Sequence, residues 1–119
     1  MTDLGRELEF LIGEPLNAVS FVMDYVELHF NGSYLRYLEP PTVARPGAPP
    51  STFPGSGSRD ALCDLIGTTV RRIQASDGGE LRVEFSDATV VTASLSREAR
   101  RSPEVLHIHN AATGETQWW

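Results

Sequence analysis

From Tyr25 the chain alternates. Val26, Leu28 and Phe30 are apolar, and Tyr25, Glu27 and His29 alternate with them. A period of two belongs to a strand with one buried face. Asn31-Gly32 follows, a pair suited to the positive φ angles of a type I′ turn, and the alternation resumes through Ser33, Leu35 and Tyr37. A two-residue turn there pairs Phe30 with Ser33, Leu28 with Leu35 and Val26 with Tyr37, so the pattern predicts a hairpin with one apolar face. Upstream the period lengthens. Leu4, Leu8 and Leu11 recur at helical spacing, Thr2 or Asp3 can cap a helix running to about Phe10, and Gly13 sits where a C-terminal glycine cap belongs.

The pattern then recurs. Leu11-Ile12-Gly13 returns as Leu65-Ile66-Gly67, with Leu8 matching Leu62, Leu16 matching Val70 and Val19 matching Ile73. One residue is added near Asp77-Gly78-Gly79, after which Val26, Leu28, Phe30 and Leu35 match Leu81, Val83, Phe85 and Val90. The matched positions are the apolar ones, as expected where a core is kept and surfaces drift. Each copy predicts a short helix and three strands, the second helix capped by Ser58 and closed by Gly67. The second hairpin turn is Asp87-Ala88. Alanine adopts positive φ at a cost, so a longer or differently shaped turn is expected.

Between the copies, residues 39–57 hold Pro40, Pro41, Pro46, Pro49, Pro50 and Pro54. Such a segment is expected to run along the surface as a linker, outside any sheet interior, with Phe53 anchoring it to the body. Beyond a polar turn with Arg97, Arg100 and Arg101, Val105–His109 and Glu115–Trp119 predict a closing hairpin around Ala112–Gly114. The expected fold class is therefore α+β, mainly antiparallel β, in a single domain over residues 1–119. It comprises two pseudo-symmetric helix-plus-three-strand repeats (4–38 and 58–95) and a C-terminal hairpin (104–119), with the sheet curled into a roll or barrel.

Composition narrows the function classes. The chain has 119 residues, 40% hydrophobic, with a formal net charge of −6. An acidic surface disfavours phosphate backbones, so no nucleic-acid partner is expected. All ten basic residues are Arg, which leaves no Lys for a Schiff base or general base. Cys63 is the single cysteine, so no intramolecular disulfide forms. Residues 1–13 are acidic and amphipathic, unlike a signal peptide, and no apolar run reaches the roughly 20 residues that span a bilayer. A cytoplasmic protein with no membrane partner is the expectation.

His107 and His109 lie two apart on one predicted strand, hence on one face, and His29 is the remaining histidine. Three imidazoles could hold a metal, but nothing in the sequence brings His29 beside the other two. A polar strand face packed sideways on Trp or Tyr explains them as well, and no metal or cofactor is expected. Cys63 reads as a buried or half-buried structural thiol. The pairs Glu80/Glu84 and Asp60/Asp64 read as solvated carboxylates, and no glycine-rich phosphate loop is present. Trp118 and Trp119 point to opposite faces of a strand, so at most one can fill the same core.

The stretches Leu11-Ile12-Gly13, Asp24 to Phe30, Ile66-Gly67 and Leu81 to Asp87 together resemble a family of short bacterial proteins of unknown function. Its members share a duplicated Gly-x-x-Val and Leu-x-Leu-x-Phe β unit and end near Trp, as Pro103-Glu104 and Trp118-Trp119 do here. Ala88 departs from the glycine of that pattern. The resemblance implies a scaffold and no catalytic residues. The expected function is a non-catalytic protein-binding domain, immunity-like or regulatory, with a protein partner and with Trp118, Trp119 and Phe53 as interface candidates. Open sheet edges are compatible with a homodimer. The alternative is a small-ligand-binding β barrel or roll. A metal protein or enzyme built on His29, His107 and His109 ranks third.

Overall fold

A computed structural model describes residues 4–76, 79–96 and 104–119. A short helix, α1 (Leu4–Glu7), continues into a 3-10 turn (Glu9–Leu11) and leads to β1 (Ala18–Val22), β2 (Tyr25–Phe30) and β3 (Ser33–Tyr37). Next come β4 (Thr42–Ala44), β5 (Ser51–Thr52) and α2 (Ser58–Cys63). The chain ends with β6 (Val70–Ala75), β7 (Glu80–Phe85), β8 (Val90–Ser94), β9 (Leu106–Asn110) and β10 (Glu115–Trp118).

The strands form two antiparallel sheets, ordered β1-β2-β3-β9-β10 and β5-β4-β8-β7-β6. The barrel expectation is corrected: the described strands form no closed barrel, because β1, β10, β5 and β6 remain edges. After β3 the chain crosses to the second sheet, where β4 lies beside β8. After β8 it returns to the first, where β9 lies beside β3. The inward residues of both sheets, among them Leu28, Phe30, Leu35, Tyr37, Leu81, Val83 and Phe85, are at most 1% exposed and form one core with Leu4, Leu8, Leu62 and Leu65 from the helical turns.

The Asn31-Gly32 hairpin has the expected register, Val26↔Tyr37, Leu28↔Leu35 and Phe30↔Ser33. Both turn residues have positive φ, 51° and 95°. The Asp87-Ala88 turn is longer, as its sequence predicts. The Ala88 N–H donates to the Phe85 carbonyl, the Phe85 N–H donates to the Thr89 carbonyl, and Ala88 sits at φ 71°. That is a three-residue turn with its left-handed position, normally glycine, filled by alanine.

Several local expectations are revised. The caps Thr2 and Asp3, the insertion site Asp77-Gly78 and Arg97, Arg100 and Arg101 lie outside the described residues. Ser58 does not cap α2: Gly57 is the N-cap, and the buried Ser58 hydroxyl donates to the Gly55 carbonyl. The proline-rich segment enters a sheet interior, since β4 is paired on both sides, with β5 and β8. It can do so because Thr42-Val43-Ala44 is free of proline and keeps its N–H donors. Phe53 is the anchor expected, 2% exposed and stacked on Phe21 with ring centroids 5.7 Å apart.

Where residues 13–16 meet residues 67–70, hydrogen bonds occur in matched pairs. The Gly13 N–H donates to the Val70 carbonyl and the Gly67 N–H to that of Leu16; Leu16 donates to Thr68 as Val70 donates to Glu14. Pro15 and Thr69 face each other between them.

A candidate binding face of histidines and aromatic rings

The outward side of the first sheet follows from its register. Because Val26, Leu28, Leu35, Leu106 and Ile108 point inward, their neighbours point out. One row across the strands reads Ala18, His29, Tyr34, His109, Thr116, and the next reads Ser20, Glu27, Arg36, His107, Trp118. Tyr25 stands outward opposite Val22 at the end of the sheet. The crossover that docks β9 on β3 therefore brings all three histidines to one face.

Arg36 is the centre of that face. Its Nε donates to Glu27 Oε2 at 2.6 Å, and Nη1 lies 3.1 Å from His107 Nδ1. Its guanidinium lies 5.4 Å from the Tyr25 ring centroid and 5.0 Å from that of Tyr34. Partial burial works against the Arg36 charge, but the hydrogen bond and charge of Glu27 outweigh it, and the pKa is raised above the ordinary guanidinium value. A guanidinium only donates, so His107 Nδ1 is an acceptor and Nε2 carries the proton, which it donates to Glu104 Oε1 at 3.1 Å.

The rings pack against one another around this centre. Tyr34 stacks on His109 at 5.2 Å between centroids, and His29 tilts against the other side of Tyr34 at 6.1 Å. Trp118 meets His107 edge-on at 5.9 Å and is 58% exposed. His109 Nδ1 is 2.9 Å from Thr116 Oγ1. Trp119 points the other way, packs partly buried against the core and exchanges main-chain hydrogen bonds with Leu106.

This geometry does not assemble a metal site. His29 and His109 flank Tyr34 on strands two steps apart, about 10 Å, whereas ligands of one ion sit about 2 Å from it. No group of three or more His, Cys, Asp or Glu side chains placed to share a metal ion occurs among the described residues. Nor do Ser20, Glu27 and His29 form a catalytic triad: Ser20 Oγ and Glu27 Oε1 both approach the same nitrogen, His29 Nε2, each at 3.2 Å. A triad needs the hydroxyl and the acid on opposite nitrogens. Cys63 is exposed, contrary to the sequence expectation, because Ala61, Leu62 and Leu65 take the buried side of its turn.

The second sheet's outward face differs in kind. Its rows read Thr52, Thr42, Thr92, Arg82, Gln74 and Ala44, Val90, Glu84, Arg72. Described residues there include no ring. Thr42 and Thr52 share a hydrogen bond of 2.7 Å, and Arg71 pairs with Glu84, holding that carboxylate below its usual pKa. An open depression of about 480 Å³ lies beside Pro40, Thr42, Glu80 and Ser94. No helix among the described residues is long and apolar enough to cross a membrane.

Tyr25, Tyr34, Arg36 and Trp118 belong to residue types concentrated at the centres of protein interfaces. Phe53, by contrast, presents almost no surface. Local alternation identifies each residue as outward. The pairing of Tyr34 with His109, 75 positions away, carries no local sequence signal. No family model, curated protein or solved structure matches the chain.

Proposed function

We propose that this chain is a non-catalytic protein-binding domain, regulatory or immunity-like, that receives a basic protein partner on the outward face of the β1-β2-β3-β9-β10 sheet. One observation carries the reading: of two outward faces in the same fold, one is an ordinary solvated surface and the other concentrates tyrosine, histidine, arginine and tryptophan. Ring-bearing side chains have few torsions to immobilise and bury large areas, so they contribute most where a partner covers them. Arg36 is already neutralised by Glu27, and the chain carries a net charge of −6. A basic partner is thus drawn in electrostatically without meeting an unpaired cation.

The halves also read as one duplicated helix-plus-three-strand unit. The matched hydrogen bonds around Pro15 and Thr69 support that reading. On it, binding resides in what the halves do not share.

The test uses three forms of the full chain as bait: native, Tyr25→Ser/Trp118→Ser, and the control Arg82→Ser/Thr92→Ala on the other sheet. The expected result is a basic protein bound by the native and control chains and released by the face variant, with the complex re-formed from purified components. A partner lost equally from the control, or one indifferent to Tyr25 and Trp118, overturns the proposal.

A further inference from the structure

Four strands end the two sheets, and three of them are protected against pairing. β5 is two residues long, β10 begins with Glu115, and β6 carries Arg71, Arg72 and a register shift between Val70 and Arg72. The fourth, β1, is different. Ala18-Val19-Ser20-Phe21-Val22 has no charge and no proline, and it pairs with β2 in unbroken register over five residues.

The free side of β1 has unpaired main-chain groups, flanked on the inner side by α2, from which Arg59 reaches over the Phe21 ring beside Phe53. Val22↔Tyr25 closes the two-residue turn at Met23-Asp24, so Val22, Ser20 and Ala18 direct their main-chain groups toward β2. Val19 and Phe21 direct theirs outward. No described residue bonds to those outward groups. Around them lie exposed apolar side chains: Val22 is 39% exposed and Met23 94% exposed at φ 44°.

We propose that a second copy of this chain pairs with β1 by antiparallel strand addition, about a two-fold axis at Ser20. The strand is self-complementary in that register. Val19 faces Phe21 of the other copy, and their N–H and C=O groups exchange about four hydrogen bonds across the axis. On the outward side Ser20 meets Ser20, exposed Ala18 meets exposed Val22, and Met23 lies beside Asn17. Two acidic chains repel, so a shared surface has to avoid carboxylates, and β1 has none. The contact is isologous and closes at two copies. It leaves both ring-bearing faces on the same side of a continuous ten-stranded sheet. The interface is small, so association is weak and concentration-dependent.

Sedimentation equilibrium of the full chain over about a hundredfold concentration range tests this, with a tenfold change in the dimer dissociation constant for each 1.4 kcal/mol. Three double variants read the register. Ala18→Glu/Val22→Glu and Ala18→Lys/Val22→Lys each put like charges opposite one another and give monomers, although they move the net charge in opposite directions. Ala18→Lys/Val22→Glu puts opposite charges in contact and restores the dimer, now salt-sensitive. Circular dichroism checks that each variant is folded. A native chain that stays monomeric throughout, or three variants that behave alike, overturns the proposal. Binding of a basic partner to the outward face is measured separately and stands or falls independently.

Discussion

Two hairpins of similar shape turn on different residues, and exchanging their chemistry gives reciprocal changes in stability. Ala88 occupies φ 71°, where an L-residue is penalised by about 1–2 kcal/mol because its Cβ crowds the following carbonyl. Ala88→Gly removes that strain. Glycine's extra freedom in the unfolded chain takes back about 0.5–1 kcal/mol. The net expectation is a gain of about 0.5–1 kcal/mol, or a Tm higher by about 2–5 °C for a domain of this size. Gly32→Ala runs in reverse. It places a side chain at φ 95° and brings its Cβ to 3.2 Å from that of Ala111, so the expected loss is about 1–2 kcal/mol. Urea unfolding followed by far-UV circular dichroism measures both, and an unchanged m-value assigns the effect to the folded turn. If Ala88→Gly is neutral or destabilising while Gly32→Ala is costly, the left-handed assignment at Ala88 is wrong.

The Tyr37 hydroxyl is fully buried, with no hydrogen-bond partner among the described residues, and desolvation pushes its pKa well above the usual phenol value. Tyr37→Phe is therefore expected to leave stability unchanged or raise it by about 1 kcal/mol, and a loss larger than that would reveal a hydrogen bond. The same burial gives an alkaline dependence. Above about pH 10 the unfolded phenol loses its proton while the folded one keeps it, so stability falls with rising pH by up to about 1.4 kcal/mol per unit. Tyr37→Phe should flatten that limb, and identical slopes would refute the linkage. At the ring face, nitrogen-15 NMR of the neutral His107 imidazole should show the proton on Nε2 and an acceptor at Nδ1. The opposite tautomer would mean that Arg36 does not donate to it.

Much of the architecture was legible because its signals are local. Val26, Leu28 and Phe30 face Tyr37, Leu35 and Ser33 across a turn of two residues whose identity nearly dictates its conformation. The crossovers are not local. The prolines of residues 39–57 argue against a strand, yet three consecutive residues among them suffice for β4, and only the position of β8 decides whether they are used. The side that Cys63 presents depends on which way a six-residue helix rolls, and Leu62 and Leu65 outweigh it for the core.

The ring-bearing face shows why function is harder to read than fold. Across the two sheets the register sets Tyr25, Glu27, His29, Tyr34, Arg36, His107 and His109 against Glu80, Arg82, Glu84, Val90, Thr92, Thr42 and Ala44. Both sets stand on strands whose alternate positions are equally apolar and equally buried, so the core tolerates either face. The inward half of each strand determines folding and repeats a pattern; the outward half is free to diverge. Alternation marks His107 and His109 as outward in the sequence, but their meaning depends on what stands beside them. Placed next to solvated threonines they would be unremarkable surface residues. The Tyr34↔His109 register instead sets them between Arg36, Tyr34 and Trp118, and it is this adjacency, fixed by the return of the chain from β8 to β3, that turns dispersed polar positions into a single surface.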